Sequence, residues 1–364
     1  MLSRTLSYAF QRRFAKSLHP AQKSIMSTAS AQSLSKDYTI HLFIDWDGSF
    51  TRHDTMSILA EIGYKKRRQL FDHGEQLPSI KPWESFVQAY MSDYDNHVST
   101  YNPTRGNRRF IDEESAWLAS LDAVEKASAQ RVRNAGLFGG VSAYDVENAA
   151  REAIQNRKVE LREGWRELLC APLWYPEGST ISGVEIISVN WSECFIRECL
   201  KAKIAERRIY GTSQVKAPFV QVANKFLDEL PIFANQFIPG ENLELENPRT
   251  IYTSADKYEI LQQRKSSWPL PDFVADLNPS TLFVYVGDSA TDFDCLLEAD
   301  IGIVIQDDPI SSSQLEFHET LQRVGVEVVP ISNGGHVHEA LPKLRIYTAK
   351  NLREIFDFLA RSSN

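Results

Sequence analysis

The sequence predicts an α/β protein: a doubly wound, parallel, Rossmann-like sheet carrying an inserted α-helical cap domain. Three observations carry that expectation. Short apolar runs at 38–44, 281–286 and 301–305 read as buried strands. From residue 181 onward such strands alternate with helical patterns. Between the first strand and that alternation, residues 52–180 are rich in helix formers and lack a strand rhythm.

Taken in order, Tyr38–Ile44 (Y-T-I-H-L-F-I) is the first strand and stops abruptly at Asp45-Trp46-Asp47-Gly48-Ser49. Within the insertion, helical periodicity is clearest at 54–62, 112–136, 143–157 and 163–171, with turn signals such as Asn102-Pro103 and Gly139-Gly140 between. Val184–Val189 restores the strand pattern, and a helix follows at about 191–206. Ile232–Ile238 and Asn242–Glu246 read as strand material around Pro239-Gly240-Glu241. A helix over 255–264 precedes Thr281–Val286 (T-L-F-V-Y-V), the plainest strand in the chain, which runs into Gly287-Asp288. Ile301–Ile305 is the next strand; others are expected at 326–331 and 344–348, with a closing helix at 350–361. The resulting division is a leader (1–36), an α/β core (37–51 and 181–364) and a helical cap (52–180).

Composition narrows the function classes. The 364 residues are 43% apolar and 24% charged, which excludes a collagen, a largely disordered chain and a disulfide scaffold. Cys170, Cys194, Cys199 and Cys295 form no C-x-x-C pair and no zinc spacing, pointing to a reduced compartment. A net charge of −8 argues against non-specific nucleic-acid binding. No run approaches the roughly 20 apolar residues that span a bilayer. The charge is uneven: residues 1–36 hold Arg4, Arg12, Arg13, Lys16, Lys23 and Lys36 and no acid, hence +6 against −14 for the rest. Leu2, Leu6, Phe10, Phe14 and Leu18 recur every four positions, so this leader has the pattern of a mitochondrial transit peptide. A disordered basic tail is the alternative, and initiation at Met26 would give a cytoplasmic protein with the fold whole.

Two strand ends carry pairs of aspartates, Asp45 with Asp47 and Asp288 with Asp292. Ligands of open parallel sheets bind beyond the C-terminal strand ends. Four carboxylates meeting there would repel unless a cation sat among them, and a hard oxygen-binding ion such as Mg²⁺ resolves the conflict. A single pair reads equally well as turn or cap residues; two pairs after two apolar strands do not.

Here the chain resembles a known family. Asp45-Trp46-Asp47-Gly48-Ser49 is similar to the D-x-D-G-[ST] signature of the haloacid dehalogenase superfamily, and Gly287-Asp288-Ser289-Ala290-Thr291-Asp292 to its G-D-x-x-x-D motif. Ser188 in I-I-S-V-N-W-S and Lys257 in T-S-A-D-K-Y-E-I-L match the family's other two motif residues, in the expected order, over residues 37 to about 306. The resemblance implies a phosphoric monoester hydrolase in which Asp45 is the nucleophile that becomes an aspartyl-phosphate. Asp47 would act as general acid and base, and Ser188 and Lys257 would hold phosphoryl oxygens. Asn190 could add a phosphate hydrogen bond or be a loop residue. Mg²⁺ would be held by Asp45, the Asp47 carbonyl and Asp288, with Asp292 direct or through water. An acid at position 47 favours phosphatase over dehalogenase, since halide leaves without a proton.

The insertion after the first motif, with the runs Gly140–Val146 and Leu161–Leu169, is similar to the phosphoserine phosphatase-like branch. Such caps favour small soluble phosphates. E-A-D-I-G-I-V-I with I-S-V-N-W-S also resembles the phosphatase domain attached to thiaminase-like proteins, acting on thiamine monophosphate. A phosphomutase and a non-catalytic phosphometabolite-binding protein are the rival readings. The expected partner is a small phosphate ester, without nucleic acid or an integral membrane segment. Trp83, Trp117, Trp165 and Trp174 read mainly as cap core, while Trp46 and Trp191 could pack or stack a flat ligand. His336 and His338, two apart, read as a surface loop rather than a metal pair; Arg105, Arg108 and Arg109 as a solvated loop; Asp307-Asp308-Pro309 as a turn; and Asp54 as a helix cap. The segment from 308 onward exceeds what the family core needs.

Overall fold

The computed structural model describes residues 38–174, 181–206, 217–236, 250–267, 280–333 and 344–361. The leader, Asn242–Glu246, His336 and His338 lie outside them. Among the described residues, seven strands form one sheet: β1 (Tyr38–Ile44), β2 (Ile181–Ile187), β3 (Ile232–Phe233), β4 (Ser280–Gly287), β5 (Ile301–Ile305), β6 (Glu327–Pro330) and β7 (Arg345–Ala349). Their order is β3-β2-β1-β4-β5-β7-β6, every pair parallel. Both faces are covered by helices, so Leu42, Phe43, Ile44, Val284, Tyr285, Val286 and Ile303 are fully buried and the strands read as continuous apolar runs.

Helices α1 (Met56–Asp72), α2 (Trp83–Thr100), α3 (Ile111–Ser120), α4 (Asp122–Asn134) and α5 (Ala143–Gln155) make the insertion. The short α6 (Trp165–Leu169) and α7 (Ala171–Trp174) lead back to β2. The core adds α8 (Glu193–Ala205), α9 (Ala217–Glu229), α10 (Ser254–Ser267), α11 (Phe293–Glu298), α12 (Ser312–Arg323) and α13 (Leu352–Arg361). α5 shows why the insertion docks. Ser142 and Asp145 close a capping box at its start, and Val146, Ala150, Ala153 and Ile154 line one face, which packs along α8. On α8, Phe195, Ile196, Cys199 and Leu200 are fully buried, and removing the Phe195 ring should cost about 3–5 kcal/mol.

The insertion stands on a two-stranded stem. Arg52 N–H donates to the Glu160 carbonyl at 2.8 Å, Arg162 N–H donates to the Phe50 carbonyl at 3.0 Å, and Thr51 bridges Leu161 in antiparallel fashion. Beyond the stem, the Arg353 N–H of α13 donates to the Glu163 carbonyl at 3.0 Å, and the Arg353 side chain pairs with Glu167. The C-terminal segment thus braces the insertion's return. It does so again through α12, where Arg105 pairs with Glu316 at 2.7 Å and Arg323 reaches Glu114 and the Arg108 carbonyl.

Several expectations change. Arg108 is no solvated loop residue: it is buried, donates from Nε to Glu114 Oε2 at 2.8 Å and lies over the Trp117 ring at 4.6 Å. The strand expected at 232–238 is two residues long in the described part, and β2 begins earlier than the Val184 expected. α2, α9 and α12 were not anticipated, and α1 runs ten residues past its expected end at 62. Among the described residues, no helix is long and apolar enough to cross a membrane.

Candidate active site

β1 lies at the point where the strand order reverses, with β2 on one side and β4 on the other. Ile44 is level with Ile186 of β2 and Val286 of β4. Asp45, Ser188 and Asp288 therefore emerge at neighbouring heights beyond the carboxyl edge, where an α/β sheet opens its crevice. Asp45 is anchored by its own N–H to the Val286 carbonyl at 2.9 Å. The chain then turns tightly, with Phe50 N–H donating to the Asp45 carbonyl at 3.1 Å and Thr51 N–H to the Trp46 carbonyl at 2.9 Å. Gly48 takes φ +78°, and a Cβ there would run into the Asp288 carboxylate, so glycine is required twice over. Gly287 is similarly constrained, because a Cβ would collide with the Asp292 side chain.

Lys257 joins the two halves of the site. It projects from the first turn of α10, whose start is fixed by Asp256 accepting the Tyr252 and Thr253 N–H groups at 2.8 Å each. Its ammonium donates to Asp45 Oδ1 at 2.8 Å and to Asp292 Oδ1 at 2.7 Å, with all three side chains fully buried. Asp292 also accepts the Tyr285 hydroxyl at 2.9 Å and the Asp288 and Ser289 N–H groups at 3.1 and 3.2 Å, so it ties the 288–289 turn to the sheet. Burial, reinforced by the Asp292 charge, pushes the Tyr285 phenol well above its ordinary pKa and keeps it a donor. Asp288 is half-exposed among these buried groups and accepts the Ser49 hydroxyl at 2.9 Å. Oxygens of Asp45, Asp288 and Asp292 lie within 4.8 Å of one another. An all-carboxylate donor set of this spacing suits a hard divalent cation.

Asp47 sits apart from that cluster. Its Oδ1 accepts the Thr55 N–H at 2.8 Å and the Thr55 hydroxyl at 2.7 Å, and its Oδ2 accepts Asn190 Nδ2 at 2.9 Å. Asn190 also donates to Thr55 Oγ1 at 3.0 Å and accepts Ser192 N–H at 3.0 Å. Its amide is engaged in holding the Asp47 carboxylate and the loop after β2. Ser188 is buried, and its hydroxyl accepts the Asn190 N–H at 3.1 Å. Asn235, not singled out from sequence, laces this loop to the approach to α10 by donating to the Val189 and Ile251 carbonyls at 3.1 and 2.9 Å. Thr55 and Tyr285 also escaped sequence reading. A threonine ten residues after Asp45, just ahead of a helix, was the one legible hint.

The flanking tryptophans belong to the core. Trp46 is fully buried, stacks on Phe50 at 5.7 Å and donates to Thr55 Oγ1 at 3.3 Å. Trp191 is buried edge-on against Trp83 and Phe138. Asp54 accepts the Met56 N–H at 2.8 Å, but it precedes the capping position of α1, which is Thr55. Asp307 is more than a turn residue, since it accepts a 2.7 Å hydrogen bond from buried Arg162.

The chain resembles the haloacid dehalogenase superfamily. The fold is a doubly wound parallel sheet with a helical insertion after the first strand, and the four sequence motifs fall around one crevice. No family model matches the chain. The chain is 24% identical over 314 residues to the Bifunctional TH2 protein, mitochondrial, of Arabidopsis thaliana, covering 82% of this chain and 44% of that one. It thus spans less than half of that relative. It is also 24% identical over 312 residues to a CTO1 family protein of Schizosaccharomyces pombe, covering 85% and 95% of the two chains. Among solved structures, it is similar to a phosphoserine phosphatase held as a phospho-aspartyl intermediate analogue, at TM-score 0.39 and 14% identity, over 89% of this chain and 99% of that one.

Proposed function

We propose that the protein is a phosphatase hydrolysing a small phosphate monoester through an aspartyl-phosphate on Asp45, with Mg²⁺ as cofactor. The observation that carries this reading is the convergence of Asp45, Lys257, Asp288 and Asp292 at the point where the strand order reverses. In the first displacement an Asp45 oxygen bonds to phosphorus, the ester P–O bond breaks, and Asp47 gives its proton to the departing alkoxide. In the second, water bonds to phosphorus, the bond to Asp45 breaks, and Asp47 takes the water proton. Lys257 and Ser188 hold phosphoryl oxygens throughout. Asp45, Asp288, Asp292 and the Asp47 carbonyl would hold Mg²⁺, which supplies positive charge against the phosphoryl oxygens when bound. Asn190 and Thr55 act as positioning residues for Asp47 rather than as phosphate ligands, a reading their hydrogen bonds support.

The helical insertion is read as a cap that favours small substrates. With Trp46 and Trp191 buried in the core, the aromatic case for a heterocyclic ester lapses. The motif similarity to thiaminase-linked phosphatase domains keeps thiamine monophosphate on the panel. The test is phosphate release from p-nitrophenyl phosphate with Mg²⁺, abolished by EDTA, followed by thiamine monophosphate, phosphoserine, pyridoxal phosphate, flavin mononucleotide and glycerol phosphate at equal concentration. Binding without release would establish a sensor, and transfer to a sugar-phosphate acceptor a mutase. For location, the acid-free leader supports mitochondrial import, tested by a reporter fused to residues 1–36; a purely cytosolic signal would overturn it.

A further inference from the structure

We infer that Arg162, on the stem of the helical insertion, is a positioning residue that holds the Asp45–Ser49 loop in the geometry needed for cation binding. This rests on the phosphatase reading but adds a residue to which that reading gives no role. Arg162 is almost wholly buried, although it is a cation outside the carboxylate cluster. Its guanidinium is spent as a fork. Nε and Nη2 both donate to the Gly48 carbonyl, at 3.2 and 2.7 Å, and Nη1 donates to Asp307 Oδ1 at 2.7 Å. Asp307 is held in turn by Gln314 of α12, which donates from Nε2 to Asp307 Oδ2 at 3.1 Å and accepts the Asp307 N–H at 3.0 Å. The Arg162 backbone belongs to the same stem, with its N–H on the Phe50 carbonyl.

Gly48 is the one residue of the loop that this fork grips, and it is also the residue packed against the Asp288 carboxylate, which no Cβ could approach. Ser49, the next residue, donates its hydroxyl to Asp288 Oδ1 at 2.9 Å. A shift of the Gly48 peptide therefore displaces the seat of Asp288 and moves the loop on which Asp45 begins. Arginine is suited to this task because its planar fork fixes the carbonyl in direction as well as distance, whereas lysine would supply one freely rotating ammonium with no fixed fork.

The test compares the full chain with Arg162→Lys, Arg162→Gln, Asp307→Asn and Arg353→Ala, reading the Mg²⁺ concentration that half-saturates the rise in thermal midpoint in the absence of substrate. Phosphate release is followed in parallel. Arg162→Lys and Arg162→Gln are expected to raise the half-saturating Mg²⁺ about tenfold or more, consistent with loss of an oriented, charge-assisted pair. Asp307→Asn, a milder change at a partly exposed carboxylate, should raise it a few-fold and keeps the test open if the arginine variants fold poorly. Arg353→Ala removes the nearby pair with Glu167 without touching the loop and should leave the Mg²⁺ response unchanged. A wild-type Mg²⁺ response in folded Arg162 variants, or in Asp307→Asn should those not fold, would overturn this inference and leave the phosphatase reading standing. The absence of any Mg²⁺ response in the unsubstituted chain would overturn both.

Discussion

Two buried charge clusters sit on neighbouring strands, and they are built on opposite principles. Midway along the sheet, the single carboxylate of Glu185 on β2 is met by Arg264 of α10 through two nitrogens, at 2.9 and 2.6 Å, and by His41 of β1 at 3.1 Å. Donors surround one acid, so the group is satisfied from within the chain. At the strand tips the ratio is inverted, with three carboxylates gathered together and the Lys257 ammonium paired with two of them, Asp45 and Asp292. Buried charge stabilises a fold only when it is matched. The first cluster is an anchor that docks α10 on β1 and β2. The second gathers like charge where the sheet opens, an arrangement that suits a bound cation and a reacting phosphate.

Variants in one cluster should affect its function and spare that of the other. The largest effect is expected at the tips. Asp45→Asn should lower phosphate release about a thousandfold or more while shifting the thermal midpoint by only a few degrees, because Lys257 keeps Asp292 as its partner. Next comes Asn190→Ala, which removes a donor from Asp47. It should cost roughly ten- to a hundredfold in kcat and alter the pH–rate profile, with little change in KM.

Glu185→Gln should do the reverse, costing about 2–3 kcal/mol of stability, less than a fully buried pair because Arg264 is 33% exposed, with turnover per folded molecule retained. It should also change the acid limb of stability. Burial pushes the Glu185 carboxyl upward, but the His41 and Arg264 hydrogen bonds outweigh it and hold the group below its ordinary 4.5. Its stabilisation is therefore complete above about pH 4.5 and is lost as the pH falls through the lowered value, so a thermal-melt series should lose part of that acid dependence in Glu185→Gln. The smallest effect belongs to the exposed Lys350–Asp308 pair, where Asp308→Asn should leave the thermal midpoint unchanged in salt.

How much of this was legible in the sequence follows the same physics. β1, β4 and β5 are buried on both faces, so their largely apolar runs announce them, and the aspartates stand out because they end those runs. α2 was invisible because only Phe86 and Tyr90 of its 18 residues are buried, too few to set a helical period. The brief β3 gave a signal longer than its two paired residues. Arg108 read as a solvated loop residue and Arg162 drew no reading of its own, because their partners, Glu114 for the one and Asp307 and the Gly48 carbonyl for the other, come together only in the folded chain. The pairing of residues 50–52 with 160–162 left no mark on the sequence pattern, because it consists of backbone hydrogen bonds.

The most direct test of the central claim is to quench turnover in acid and locate the phosphoryl group by peptide mass spectrometry. The account predicts one phosphoryl group on Asp45, formed only with Mg²⁺ and absent from Asp45→Asn. Phosphate release at full rate by Asp45→Asn, or a phosphoryl group trapped on another residue, would contradict it.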